Sequence, residues 1–255
     1  MKLYDNAGSP YAFKVRATIY EKGLDVEFHE ITREAQRAEL LRVSPRGEVP
    51  ALVDGDTAIY DSSIICEYLE ERHPSPALMP ADAAGRALVR ARERIADTQV
   101  DPVVLVLAVA TVFQPELGKQ HPEAVAQAAD ALGGYYALLD GWLADGEYLC
   151  GALSRADIAM APHFAAAAFI GHPVPASFTR LTDWVTRMNA RPSITRATQE
   201  ALASYQADQQ NPEAFFDPKR LHWRDTRVEW MIRCGLGEWL LGELAADRAF
   251  FSPLP

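Results

Sequence analysis

Residues 44–74 read SPRGEVPALVDGDTAIYDSSIICEYLEERHP, and this stretch decides the fold of the chain. Residues 49–53 are apolar and partly β-branched, and after an Asp-Gly-Asp turn a second such run follows at residues 57–60, which predicts a β-hairpin. Pro50 cannot donate a backbone hydrogen bond, so it must lie at the mouth of its strand. Val49 is then extended, with a backbone that an extended peptide could pair with. Taken alone, the Val-Pro pair also fits a simple turn.

A helix is predicted to begin at Asp61-Ser62 and to run to about Arg72. Asp and Ser are ordinary N-cap residues, and capping alone explains them. The free N–H groups and the positive dipole end of a helix also favour a carboxylate. A small peptide with an amine and a carboxylate at one end would fit both this helix start and the extended Val49.

The segments SPRGEVPALVDG and IYDSSIICEYLEERHP resemble the glutathione site of the cytosolic glutathione transferases, which have a thioredoxin-like N-terminal domain. The resemblance implies a cis peptide bond between Val49 and Pro50. It also implies that Val49 pairs with the cysteinyl part of glutathione, and that Asp61 and Ser62 hold the γ-glutamyl end. Glu48 departs from the pattern, because family members often carry Lys or Gln there, near the glycyl carboxylate. A carboxylate at this position is expected to repel glutathione.

Ser9-Pro10 is another predicted helix start, after an opening strand at residues 2–4. A hydroxyl N-cap followed by proline is typical of ordinary helix starts. In the family that this sequence resembles, serine-type members place the thiolate-holding hydroxyl here, and omega-type members have Cys-Pro-Phe-Ala where this chain has Ser-Pro-Tyr-Ala. A charge-assisted hydrogen bond of about 1.5–3 kcal/mol and a helix N-terminus of about 0.3–2 kcal/mol together suffice to lower a thiol pKa by about two units. Ser9 is therefore the predicted catalytic residue, ahead of Tyr4 and Tyr11.

The order strand, helix, strand, helix, hairpin, helix predicts a thioredoxin-like α/β domain over residues 1–77. After a proline-rich linker, residues 85–205 are predicted to form an all-helical domain, in which Pro102 kinks a long helix. SRAD at residues 154–157 predicts a capping box that starts a buried helix. Residues 206–255 are expected to form a helical extension with three tryptophans, which either packs on the helical domain or covers the cleft as a lid.

Composition excludes several classes of function for this chain of 255 residues, of which 49% are hydrophobic and 24% charged. A net charge of −10 argues against non-specific nucleic-acid binding and anionic membrane surfaces. Three widely spaced cysteines without a CxxC pair or a secretory signal predict a cytoplasmic protein. The six histidines lack metal-ligand spacing, so no metal is predicted. The longest apolar run, residues 103–113, is shorter than the about 20 residues that a transmembrane helix needs.

The resemblance implies a bacterial glutathione transferase that uses glutathione as a substrate and joins it to a small hydrophobic electrophile, in detoxification. Tyr11, Val106 and Phe113 are the predicted walls of the electrophile pocket, and a homodimer is expected because family dimers pack unlike domains together. IYEKGL and PRGEVPAL also resemble bacterial lignin β-etherases, so glutathione-dependent ether cleavage or dehalogenation is an alternative. A non-enzymatic protein-interaction module on the same fold is a second alternative, favoured by Glu48 and the aromatic tail.

Overall fold

The computed structural model of the chain describes residues 1–211, 213–214, 226–246 and 248. Its first part consists of β1 (Lys2–Asp5), α1 (Pro10–Glu21), β2 (Glu27–Glu30), a 3-10 turn (Glu34–Gln36), α2 (Arg37–Leu40), β3 (Ala51–Asp54), β4 (Thr57–Tyr60) and α3 (Ser62–Arg72). The predicted hairpin and the helix after it are present, although the first hairpin strand begins two residues later than predicted, after Pro50.

The sheet has the strand order β2-β1-β3-β4, with β1 parallel to β2 and antiparallel to β3. Tyr4 lies opposite Ala51, and Ala51 lies opposite Tyr60. The ends of β1 and β4 and the start of β3 therefore share one edge of the sheet. Helices α1 and α3 also begin at this edge, which is why residues far apart in the sequence meet there.

A long run of helices follows, and the whole is a thioredoxin-like α/β domain followed by an all-helical domain, as the sequence predicts. The helices are α4 (Ala83–Ile95), α5 (Asp101–Ala108), α6 (Pro115–Gln120), α7 (Pro122–Trp142), α8 (Arg155–Phe169), α9 (Thr179–Asn189), α10 (Pro192–Gln209), α11 (Thr226–Arg233) and α12 (Gly237–Ala245). Tyr135, Trp184 and Leu107 are among the fully buried side chains of the helical core. The domain boundaries at residues 77, 85 and 205 stay predictions.

Helices α4 and α5 belong to one helical stretch, Ala83–Phe113, that passes through Pro102. The amide of Asp101 donates to the carbonyl of Ala96, five residues earlier, so a wider π-type turn precedes Pro102. This turn accommodates the proline, which has no backbone N–H to donate. By length and composition, this stretch is the one part of the described chain that could cross a membrane. In this structure its buried side chains, such as Val89, belong to the core of the helical domain.

The extension beyond α10 contributes two helices that pack on each other, α11 and α12. Ile232, Trp239 and Leu241 are each more than half exposed. Trp239 is therefore not buried on the helical domain, contrary to the first of the two alternatives for the tail. Trp223 and the side chain of Trp230 lie outside the described residues.

Candidate functional site

The site residues predicted from three separate segments lie at the shared sheet edge. Ser9 is the N-cap of α1, Pro50 directly precedes β3, and Asp61 and Ser62 lie between β4 and α3. The peptide bond between Val49 and Pro50 is cis, as the resemblance implies. The register of the hairpin on β1 brings these segments together, although none is adjacent to another in sequence.

Val49 presents an unused backbone at this edge. Its residue is half-buried, and neither its N–H nor its C=O has a hydrogen-bond partner among the residues described here. Pro50 and Ala51 behind it are buried, so the unpaired groups belong to an otherwise packed strand entrance. An extended ligand that paired with Val49 would continue the sheet by a short strand.

Asp61 caps α3 in a backbone conformation that is rare for a residue with a side chain, with φ of 75°. One carboxylate oxygen, Oδ1, accepts from the amides of Ser63 at 2.9 Å and Ile64 at 3.4 Å. Asp61 is exposed, so its other oxygen can accept from a ligand amine. Ser62 is buried as the first residue of the helix, and its own amide, unlike those of Ser63 and Ile64, does not donate to Asp61.

Ser9 is half-buried, and its hydroxyl accepts a weak bond of 3.4 Å from the amide of Ala12. In the part of the chain that the structure describes, no group accepts the Ser9 hydroxyl proton. The hydroxyl therefore caps the helix and still has its proton to donate. Both the capping and the catalytic interpretation of Ser9 are compatible with this geometry.

The two rival tyrosines are engaged elsewhere. The ring of Tyr4 lies edge-on to His29, with 5.0 Å between the ring centroids. The hydroxyl of Tyr11 lies 2.9 Å from Asp101 Oδ2 and 3.0 Å from the Asp97 carbonyl. Burial and the neighbouring Asp101 carboxylate raise the pKa of Tyr11 far above its ordinary value, so this phenol stays protonated.

The loop that carries Ser9 is attached to α10 of the helical domain through Asn6. The side-chain oxygen of Asn6 accepts from Gly8 N at 2.9 Å and from the Ser204 hydroxyl at 3.3 Å. A Cβ on Gly8 would lie 3.9 Å from the amide nitrogen of Tyr205. The second domain thus forms one wall of the space beside Ser9.

A buried charged cluster also joins the two domains behind the α3 N-terminus. Lys14 Nζ lies 2.6 Å from Asp97 Oδ2, 3.3 Å from Glu93 Oε1 and 2.9 Å from the Ser63 hydroxyl. Burial alone would lower the pKa of Lys14, but Asp97 and Glu93 outweigh it and raise that pKa, so the lysine is charged. In the helical domain, Oδ1 of Asp101 on α5 lies 3.6 Å from Nδ1 of the buried His163 on α8.

Comparisons with known proteins decide the family. A family model described as glutathione S-transferase, N-terminal domain, matches residues 3–77, and one described as glutathione S-transferase, C-terminal domain, matches residues 100–192. The chain belongs to the glutathione transferase superfamily.

Individual relatives agree with this assignment over parts of the chain. A zeta class glutathione S-transferase of Euphorbia esula is 37% identical over 40% of this chain and 47% of its own length. A stringent starvation protein A homolog of Coxiella burnetii is 34% identical over 35% of this chain and 43% of its own length. The chain thus spans about half the length of these curated relatives. The crystal structure of a glutathione S-transferase from Rhodospirillum rubrum F11 is 28% identical, with a TM-score of 0.69 over 77% of this chain and 90% of that one.

The structure does not bring the three predicted pocket residues together, because Tyr11 is on α1 whereas Val106 and Phe113 lie on the helical stretch Ala83–Phe113. Tyr11 contacts Asp101 at the start of α5, whereas Phe113 lies 12 residues further on, about 18 Å along a helix. Val106 lies between them and packs against the helical core. Phe113 instead meets Tyr205, whose ring also contacts Phe169, with centroid distances of 6.2 Å and 5.7 Å. Tyr205 and Phe169 are candidate pocket residues that the sequence reasoning missed.

Glu48 is paired in this structure. Arg46 Nε lies 2.9 Å from Glu48 Oε2, and Arg46 Nη2 donates to Oε1 at 3.1 Å. On the other side of the turn, the Arg37 guanidinium lies against Gly47, with Cζ 3.5 Å from where a glycine Cβ would be. Arg37 Nη1 is buried and has no hydrogen-bond partner within the described ranges. Arg46 and Arg37 therefore offset the negative charge of Glu48 near Val49.

Other chemistries find little support in the described residues. Cys66 is fully buried, and burial raises the pKa of its thiol to about 11, so it is not a ready nucleophile. Over those same parts of the chain, His, Cys, Asp and Glu form no group of three that could hold a metal ion.

Proposed function

We propose that the protein is a glutathione transferase that activates the thiol of bound glutathione at Ser9 for attack on a small hydrophobic electrophile. The observation that carries this proposal is the unpaired backbone of Val49 beside two helix N-termini, one of which ends in a hydroxyl with a proton to donate. Membership of the superfamily supports the same activity.

In this mechanism glutathione lies as a short strand along Val49. The Asp61 carboxylate receives the α-amine, and Ser62 at the N-terminus of α3 receives the γ-glutamyl carboxylate. The thiol then lies at the N-terminus of α1, where the dipole and a hydrogen bond from Ser9 favour the thiolate. The thiol proton passes to solvent, and the sulfur forms a bond to the electrophilic carbon as the leaving group departs with its electron pair.

Arg37 offers a partner for the glycyl carboxylate. Its Nη1 is a buried donor beside Gly47, and Arg46 offsets the charge of Glu48. The expected repulsion by Glu48 is therefore weakened, since Arg46 in the turn pairs with Glu48 and Arg37 of α2 lies against Gly47. Glutathione binding then remains favourable despite the unusual residue at position 48.

The wall of the electrophile site is aromatic in this proposal. Phe113, Tyr205 and the exposed Phe169 form a row of rings, and the backbone amide of Tyr205 lies near Gly8, the residue before Ser9. Such a row favours apolar and planar electrophiles, because aromatic rings stack on one another. Ether cleavage and dehalogenation use the same thiolate, and they differ only in the group that leaves.

The test is the ultraviolet absorbance of bound glutathione thiolate as a function of pH. We expect an apparent pKa about two units below the value of about 8.5 for a free thiol. Glutathione at 100 times its Kd should also stabilise the fold by about 2.7 kcal/mol. A thiol pKa that stays near 8.5 contradicts the role of Ser9, and no stabilisation at millimolar glutathione contradicts the function altogether. The second outcome favours the non-enzymatic interaction module on the same fold.

We also propose that the protein is a homodimer that uses the surface shared by β4, α3 and α4. Tyr60, Ile64 and Leu88 are large apolar side chains exposed on this surface, at 45%, 57% and 43%. Ile64→Glu should then convert the dimer to a monomer in sedimentation, whereas Leu202→Glu, at an exposed side chain of α10, should not. A wild type that sediments only at 28.2 kDa contradicts the dimer.

A further inference from the structure

The chain beyond α10 returns to the first domain. Asn211 Nδ2 donates to the Thr32 carbonyl at 3.3 Å, and Glu34 N donates to the Glu213 carbonyl at 3.2 Å. Ala214 forms an antiparallel bridge with Arg33. We call the described residues Asn211, Glu213 and Ala214 the C-terminal strap.

Asn211 also organises the strap itself. Its side-chain oxygen accepts from Glu213 N at 3.0 Å, and its carbonyl accepts from Ala214 N at 3.1 Å. This is the turn that asparagine side chains commonly stabilise. One side chain thus holds the strap in shape with its oxygen and ties it to the first domain with its nitrogen.

The loop that receives the strap has little packing of its own on the outer side. Residues 33–35 are exposed, and the loop borders an open cavity of about 520 Å³ lined by Thr32, Arg33, Ala35, Gln36 and Glu39. From the inner side Gln36 Oε1 accepts from Thr32 N at 2.9 Å and from Arg33 N at 3.0 Å. The strap therefore adds two hydrogen bonds, at Thr32 and Glu34, to those that Gln36 makes within the loop.

The same loop leads directly into Arg37. The Arg37 guanidinium lies against Gly47, whose φ is 62°, and Gly47 stands two residues before Val49. A contiguous path thus runs from the strap through the loop at residues 32–36 to Arg37 and the cis-proline turn.

We propose that Asn211 is a positioning residue for the glycyl end of glutathione, because the strap holds Arg37 in place at the cis-proline turn. This inference rests on the proposed glutathione site. It assigns the start of the C-terminal extension a role in ligand affinity, separate from the chemistry at Ser9.

The test compares Asn211→Asp with Gln210→Glu in the full chain. Asn211→Asp keeps the oxygen that accepts from Glu213 N and removes the nitrogen that donates to Thr32. Gln210→Glu adds the same charge one residue away, on an exposed side chain. Titration calorimetry measures the Kd of each variant for glutathione and for γ-glutamylcysteine, which lacks the glycine.

We expect Asn211→Asp to weaken glutathione binding about three- to tenfold, as the loss of one hydrogen bond does, and to change γ-glutamylcysteine binding less than about twofold. Gln210→Glu should change neither. Equal weakening of both ligands by Asn211→Asp overturns the proposal, because a general loss of structure has that effect. Equal effects of the two variants overturn it as well, because charge alone then explains them.

Hydrogen exchange of the amides in residues 32–39, measured without ligand, separates this inference from the proposed function. Faster exchange in Asn211→Asp than in Gln210→Glu supports the strap even if wild type binds no glutathione, in which case only the glutathione site fails. Unchanged exchange in Asn211→Asp overturns the strap, whatever the affinities are.

Discussion

Among the described helices, two have a serine N-cap, and the two hydroxyls differ in their hydrogen bonds. Ser154 caps α8, is 2% exposed, and donates its hydroxyl to Asp157 Oδ2 at 2.9 Å within a complete capping box. Ser9 caps α1, is half-buried, and accepts only the 3.4 Å bond from Ala12 N. The third helical residue makes the difference, since it is a carboxylate at α8 and an alanine at α1.

The comparison teaches that an N-cap serine is structural when a neighbour accepts its proton and available for chemistry when none does. Asp157 also accepts from Leu149 N and Trp184 Nε1, both at 2.8 Å, so the box around Ser154 belongs to the core of the helical domain. Ser9 makes only the capping bond, at a sheet edge where the backbone of Val49 is unpaired within the described residues. Four substitutions test this contrast.

Asp157→Ala should have the largest effect. It leaves buried donors of Leu149, Ser154 and Trp184 without an acceptor, and each such group costs about 1–3 kcal/mol, so the loss should be at least about 3 kcal/mol. Urea unfolding measures it. A loss below about 1 kcal/mol would mean that the box around Ser154 is no more structural than the cap at Ser9.

Ser9→Ala should reduce the rate of glutathione transfer near neutral pH by about ten- to a hundredfold, because it removes a charge-assisted hydrogen bond of about 1.5–3 kcal/mol. The rate should recover as pH rises, since the apparent pKa of the bound thiol increases by about one to two units. The thiolate titration of wild type and variant checks this. Superimposable titrations would leave Ser9 with the role of a cap alone.

Ser154→Ala is the matched control for Ser9→Ala. We expect it to cost about 1–2 kcal/mol of stability through the lost cap and to leave the pKa of the bound thiol unchanged. Unfolding and thiolate titration are measured on the same sample. If Ser154→Ala shifted the thiol pKa as much as Ser9→Ala, both shifts would reflect general loosening of the fold.

Glu67→Gln should have the smallest effect and should depend on pH. Glu67 lies on α3 and contacts Arg90 and Arg155, the residue after Ser154. The bond from Arg90, aided by Arg155, lowers the pKa of Glu67 from 4.5 to about 2. A folded pKa below the unfolded one means stability that is present above pH 4.5 and lost as pH falls towards 2.

Because Arg90 is solvent-exposed, we expect this stability to be about 1 kcal/mol. Wild type should therefore lose its advantage over Glu67→Gln between pH 4.5 and 2 in thermal unfolding. A constant difference across that range would show that Glu67 acts through packing, and that the link between α3 and α8 is not ionic.

Much of the contrast between Ser9 and Ser154 could be predicted from the sequence. The capping box at residues 154–157 follows from a carboxylate three positions after a serine, a local pattern. The hairpin, α1, α3 and the helical second domain follow from hydrophobic periodicity and from proline and glycine positions, and these predictions are confirmed. Lys14 could have been noticed, because a lysine inside an inward-facing helix needs a buried partner.

The partners of Lys14, which are Glu93, Asp97 and Ser63, could not be predicted from the local sequence, because they depend on how the domains pack. The same is true of Tyr205 beside Gly8, and of Arg46, which pairs with Glu48 and weakens the predicted repulsion. Side-chain pairing across domains leaves no periodic signal in the chain.

By itself, then, the sequence determined which segments become strands and helices, and which residue types stand at their ends, because backbone propensities, caps and turns act over a few residues. Only the tertiary structure decided that the Ser9 hydroxyl keeps its proton, that Tyr11 is bound to Asp101, and that Asn211 reaches Thr32. Those outcomes depend on which donors and acceptors are desolvated next to one another, and the burial that desolvates them arises only when both domains are packed together.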